Sequence, residues 1–184
     1  MDYEIFKNNM IDKISKINEI LSEKQIEQFY NYMNLLIEWN KKINLTAIIE
    51  PDDIILKHFV DSLTILKEIN ENDVVADIGT GAGFPGLPIK ILKPDARVFL
   101  IDYLNKRIKF LDEVVASNNL KNIQTIHSRA EEIGHNKQYR GQCDVVVSRA
   151  VAKLNVLLEY MMPLVKVGRK MYLFKRSKYR RRNR

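Results

Sequence analysis

The chain has 184 residues, of which 46% are hydrophobic and 29% charged, which excludes a disordered polypeptide and gives enough apolar material for a folded core. No apolar run approaches the roughly 20 residues that cross a bilayer, the first residues include Asp2 and Glu4 with no apolar leader, and the lone Cys143 excludes a disulfide framework and suits a reducing cytoplasm. The net charge of +7 hints at nucleic acid, but nine of the 30 basic residues lie between Arg169 and Arg184, and residues 1–168 hold 21 basic against 23 acidic side chains.

Residues 3–41 read as helical, with Ile5, Met10, Ile11, Ile14, Ile17 and Leu21 at helical spacing before a break at Ser22. Ser22 and Gln25 form a capping box that opens a second helix, with Phe29, Tyr32, Met33, Leu36 and Ile37 on one side. Pro51, followed by Asp52 and Asp53, makes a favourable first turn for a third helix running to about Lys67. The pattern then changes. Segments rich in β-branched residues (73–78, 96–102, 122–128, 143–148) alternate with helical ones near 86–93, 104–118 and 154–162, and a last strand is expected at 170–174. Such alternation predicts an α/β fold with a mostly parallel sheet covered on both faces and a ligand site at the carboxyl ends of its strands. The division is a helical cap over 1–69, a Rossmann-like core over 70–175, and a basic, disordered tail over 176–184.

The segment "ADIGTGAGFPGL" (76–87) places Gly79, Gly81, Gly83 and Gly86 directly after the first strand. Gly81, Gly83 and Gly86 fit G-x-G-x-x-G, and Asp102 follows Gly81 by 21 residues, placed to accept from ribose hydroxyls. A tight strand-to-helix turn with no ligand is the alternative account of the glycines, and the strand context weighs against it. Asp77, immediately before the loop, would repel a pyrophosphate but attract an ammonium or sulfonium group, which favours S-adenosylmethionine over a dinucleotide. The loop amides and the helix N-terminus are expected to hold the methionine carboxylate. After the third strand, "SRAEE" (128–132) is placed to pack on adenine, with Ala130 and Glu131 reading its edge; solvated acids in a first helical turn are the alternative for Glu131 and Glu132.

"NLTAI" (44–48), "HFVDSL" (58–63), "DIGTGAGFPGLPIKI" (77–91), "LNKRIKFL" (104–111), "RAEE" (129–132) and "SRAVAKLNVLLEY" (148–160) resemble, in this order, the GidB or RsmG family. The resemblance covers roughly Tyr3 to Gly168. It implies a class I S-adenosylmethionine-dependent methyltransferase acting on guanine N7 in small-subunit ribosomal RNA, with the small subunit or an assembly intermediate as partner and no membrane. It adds Phe84 to a cofactor set of Asp77, Gly79, Gly81, Gly83, Asp102, Ala130, Glu131 and Arg149.

Attack by a guanine N7 lone pair needs no general base, so alignment and desolvation carry the reaction. The fourth strand ends in "SRAV", unlike the N/D-P-P-Y/F motif of exocyclic amine methyltransferases. Cys143 lacks the preceding proline of enzymes that attack through a thiolate and reads as a core residue. Arg149, by resemblance beside cofactor and base, is the catalytic candidate; its fork can bond guanine O6 or N7 or a phosphate, and a salt bridge to Asp77 or Glu131 is the alternative. Asn44, His58, Lys106, Arg107 and Arg149 are the candidate RNA contacts, although a solvated helix face also accounts for Lys106 and Arg107. His58, Asp61 and Ser62 are expected on one helical face capping the pocket, with His58 leaning towards a structural role. His127 and His135 lack partners at ligand spacing, so no metal is expected.

The resemblance lapses after Gly168. The family continues there with a second glycine, a strand, an acidic helix and a final strand pair, where this chain has Arg169 and a basic run. The expectation is a frameshifted or truncated C-terminus that leaves an edge strand bare. A monomer is favoured. Two other readings stay open: a nicotinamide-dependent oxidoreductase using the same loop, and an inactive basic RNA-binding module.

Overall fold

A computed structural model describes residues 1–149 and 153–174. The expected basic tail and the last part of "SRAVA" lie outside the described residues. The chain opens with α1 (Tyr3–Ser15) and α2 (Glu23–Asn40), and the Ser22–Gln25 capping box forms as expected. α1 buries Phe6, Met10 and Ile14, a stripe at i, i+4 and i+8, and leaves Ile5 and Ile11 exposed. Its core face is therefore rotated from the expected one. The third helix is not uniform. α3 (Pro51–Ile54) passes directly into a π-helical segment (Ile55–Val60), then α4 (Asp61–Leu63) and a 3-10 turn (Leu66–Glu68).

The remaining elements alternate: β1 (Val74–Ile78), α5 (Gly86–Leu92), β2 (Arg97–Asp102), α6 (Asn105–Ser117), β3 (Ile123–His127), α7 (Ala130–His135), β4 (Cys143–Ser148), α8 (Leu154–Met161) and β5 (Val165–Leu173). The sheet order is β3-β2-β1-β4-β5 and every neighbouring pair is parallel. β5 starts five residues before its expected position at 170. Its register against β4 jumps between Cys143↔Val165 and Val145↔Lys170, with Gly168 at φ 77, so the irregular polar first half hides the strand from pattern reading.

Strand residues alternate between two cores, as the two-residue period of a strand requires. Val75, Val98, Leu100, Val145 and Val147 face α1, α2, α5, α6 and the helices of 51–68 in one continuous cluster. Ala76, Ile78, Phe99, Ile101 and Val146 face α7 and α8. Cys143 is fully buried in this second core, and burial pushes its thiol up to about 12. No helix among the described residues is long and apolar enough to cross a membrane.

Candidate active site

Strand order reverses at β1, between β2 and β4, and the carboxyl ends of these strands carry the predicted motifs. Asp77, fully buried, ties down the glycine loop from below. Its Oδ2 accepts from Thr80 Oγ1 at 2.6 Å and from Gly86 N–H at 2.8 Å, while its buried Oδ1 has no hydrogen-bond partner. Burial pushes this carboxyl up to about 6, against the pull of Thr80 and Gly86.

Two glycines of the fingerprint answer to packing. A Cβ on Gly86 would lie 2.4 Å from Leu100 Cδ2 and 2.9 Å from Asp77 Oδ2; on Gly83, at φ +95, it would lie 2.3 Å from Leu87 Cδ1 and 2.8 Å from the Tyr32 hydroxyl. That hydroxyl donates to Ala82 O, so α2 also braces the loop. At Gly81 the nearest atom to a Cβ is Gly79 O at 3.9 Å, so the loop is open on this side to an approaching ligand.

Most of the loop amides are already engaged. Gly79 and Thr80 N–H donate to Ile101 O, Gly83 and Phe84 N–H to Thr80 O, and Gly81 N–H to Asp102 Oδ2 at 2.9 Å. With Gly86 N–H on Asp77, protein oxygens already occupy most of the amides expected to receive a carboxylate. A cation also stands beside the loop: the Arg149 guanidinium lies 4.8 Å from the Phe84 ring centroid.

Beside the loop opens a cavity of about 290 Å³, walled by Gly79, Asp102, Tyr103, Ala130, Glu131 and Tyr160 among others. Glu131 stands exposed in the first turn of α7 and also lines this cavity. Tyr160, reaching over from α8, donates to Glu131 Oε1 at 2.7 Å. Tyr103, Leu157 and Tyr160 also line the cavity, and the sequence pattern does not single them out. Tyr160 sits inside the quoted "SRAVAKLNVLLEY", but spacing alone carries no sign that α8 folds back over the strand ends.

Arg149 is held from the N-terminal side. Its Nη1 donates to Lys57 O at 3.2 Å and to Asp61 Oδ2 at 3.3 Å, and its Nη2 to His58 Nδ1 at 2.9 Å. Its partner is Asp61, not Asp77 or Glu131. Arginine only donates, so His58 Nδ1 must accept. The ring proton is therefore on Nε2, which donates to Thr46 Oγ1 at 2.8 Å; Thr46 Oγ1 also accepts Ile48 N–H at 3.0 Å. Burial, reinforced by the Arg149 charge, pushes His58 down to about 3, and its ring stacks on Phe84 at 4.4 Å. Only 7% exposed and with both ring nitrogens taken, His58 is not free to touch RNA, contrary to its place among the expected contacts.

The π-helical segment, with its wider i→i+5 turn, helps place Lys57 O, His58 and Asp61 around one guanidinium. Ser62 does not join them: its Oγ donates back to His58 O at 2.5 Å. The loop bearing Thr46 is shaped by Asn40, whose Oδ1 accepts from Leu45 and Thr46 N–H and whose amide donates to Thr46 O. Asn44 is exposed on that loop, and Lys106 is exposed at the start of α6. Arg107 turns inward and lies on Asp102, with Nη1 at 3.2 Å from Oδ2 and 3.4 Å from Oδ1. His127 Nε2–H donates to Tyr103 O at 2.9 Å. Among the described residues no cluster of His, Cys, Asp and Glu fits a metal ion.

Solved structures with the same fold include a SAM-dependent methyltransferase from Aquifex aeolicus, with a TM-score of 0.54 and 21% identity over 77% of this chain and 76% of that one. Another is a putative S-adenosyl-L-methionine-dependent methyltransferase from Methanococcus maripaludis, with a TM-score of 0.53 and 18% identity over 77% and 61%. The architecture is thus the Rossmann-like fold of class I methyltransferases. Curated relatives named ribosomal RNA small subunit methyltransferase G are 59% identical over 149 residues in Desulforamulus reducens and 53% identical over 153 residues in Desulfitobacterium hafniense. These alignments cover 80% and 83% of this chain but 62% and 64% of the relatives, so the chain spans less than two thirds of their length. The family described as rRNA small subunit methyltransferase G, GidB, matches residues 25–183, and the chain belongs to it.

Proposed function

We propose that this chain is an S-adenosylmethionine-dependent methyltransferase that modifies N7 of a guanine in small-subunit ribosomal RNA. The observation that carries the reading is the cavity at the strand-order reversal, with the acid Asp102 on one wall and Ala130 and Glu131 on another, beside a loop braced by Asp77. The orphaned Asp77 Oδ1 and the open side of Gly81 fit a ligand that brings positive charge and a close backbone approach. When bound, S-adenosylmethionine supplies a methyl group on a sulfonium, which the N7 lone pair takes as the thioether departs with the bonding pair.

In this reading Asp102 accepts from the ribose hydroxyls, Ala130 and Glu131 read the adenine edge, and Tyr160 roofs it. Gly79, Gly81, Gly83 and Phe84 shape the space for the amino-acid end, and Arg149 takes its carboxylate. No side chain need accept a proton, because N7 of guanine carries none at neutral pH. The protein's contribution is alignment and exclusion of water, with Arg149 as the charged group that touches cofactor and base. Residues 1–69 act as the cap that presents Arg149 through Asp61, His58 and Thr46. Asn44, Lys106 and, once released, Arg107 face RNA phosphates.

The protein acts in the cytoplasm as a monomer, on the small subunit or an assembly intermediate. Neither the nicotinamide nor the purely RNA-binding alternative draws support from the family. Transfer of tritiated methyl groups to purified small subunits tests the proposal, with Arg149→Ala as the inactive control. Calorimetric binding of NAD without any for S-adenosylhomocysteine would overturn it.

A further inference from the structure

We infer that Arg107 occupies the place a ribose takes on Asp102, so that nucleoside binding must displace this side chain and thereby frees a cation for RNA. The inference rests on the cofactor reading above and adds a competitor to it. An ionised carboxylate offers about four acceptor positions. On Asp102, Oδ2 accepts from Gly81 N–H at 2.9 Å and Arg107 Nη1 at 3.2 Å, and Oδ1 accepts from Leu104 N–H at 2.9 Å and Arg107 Nη1 at 3.4 Å. The carboxylate is full.

Two of these donors are backbone amides, Gly81 in the glycine loop and Leu104 at the entrance to α6, and neither can leave without moving the loop or the helix. The Asp102 side chain is fully buried, so a ribose diol can reach it only through the cavity. Arg107 is the donor able to yield. Its side chain is 29% exposed, its two contacts are the longest on the carboxylate, and it sits on a flexible stem in the first turn of α6. Displaced, its guanidinium joins the exposed Lys106 in the first turn of α6, the helix that follows Asp102, and gives two adjacent cations there. Cofactor and RNA affinities are then coupled, and the coupling is reciprocal.

Calorimetry of the 184-residue chain with S-adenosylhomocysteine tests this on wild type, Arg107→Gln and Arg107→Lys. Removing a partly exposed ionic competitor makes Arg107→Gln bind about two- to fivefold tighter, with Arg107→Lys in between. A merely structural role for Arg107 moves affinity the other way. In parallel, S-adenosylhomocysteine tightens wild-type binding to a small-subunit rRNA transcript and leaves that of Arg107→Gln unchanged. Equal or weaker nucleoside binding by Arg107→Gln overturns the inference alone. Absence of binding by every form overturns the cofactor reading, and the inference with it.

Discussion

Replacing Thr46 by valine isolates the hydrogen-bond chain behind Arg149. Thr46 Oγ1 is the acceptor for His58 Nε2–H at 2.8 Å and for Ile48 N–H at 3.0 Å. Valine keeps the branched shape but accepts nothing. His58 cannot adapt by moving its proton to Nδ1, because that atom faces the Arg149 Nη2 donor at 2.9 Å. Protonating both nitrogens fails for the same reason, and burial already holds the ring neutral, with its pKa near 3. The variant therefore leaves the buried ring N–H unpaired, at a cost of about 1–3 kcal/mol, and turns the half-buried Ile48 N–H over to water. Thr46→Ser keeps the hydroxyl and loses one methyl group, at a cost of about 0.8 kcal/mol or less. Urea unfolding at pH 7 measures both, and nitrogen-15 shifts of the histidine ring report the tautomer in the native protein. A valine variant no less stable than the serine variant, or a wild-type ring proton on Nδ1, would refute the assignment.

Gly86→Ala forces a Cβ between Leu100 and Asp77, and the overpacking lowers stability by about 1–3 kcal/mol, readable as a drop in thermal midpoint; an unchanged midpoint would contradict the tight approach. Folding raises the Asp77 pKa from its ordinary 3.8 to about 6, so its contribution to stability is greatest below about pH 4 and is lost as pH climbs through 6. The gap in unfolding free energy between wild type and Asp77→Asn should shift across that window by up to about 3 kcal/mol, and a pH-independent gap would mean that the carboxyl ionises normally. Cys143, buried and with its thiol pushed up to about 12, should resist iodoacetamide at pH 8 in the native protein and react once urea unfolds it; mass spectrometry reads both states.

Much of this molecule is legible along the chain because the relevant physics is local. β-branched runs of five or six residues mark β1 to β4, the Ser22–Gln25 box opens α2, and the glycine fingerprint with Asp102 marks the ligand edge of the sheet. Each rests on contacts within a few residues or on a spacing that the strand–helix unit imposes. The rest depends on which distant surfaces meet. Arg149 finds Asp61 and His58 from 88 and 91 positions away, Gln25 reaches Ile91 O across 66, and Tyr160 reaches Glu131 across 29. No local propensity encodes those pairings, nor the π-helical segment that aims His58. The phase of α1 differs from its spacing-based expectation for the same reason: Phe6, rather than Ile5, is buried because the packing against α2 and the sheet-side core selects the stripe. The sequence by itself determined the order of the strands and the chemistry available at their ends, but not α7 or the division of the helix that opens at Pro51. Only the tertiary structure decided which donors already fill Asp102 and the loop amides, because hydrogen-bonding capacity is claimed by whatever the fold brings within about 3 Å.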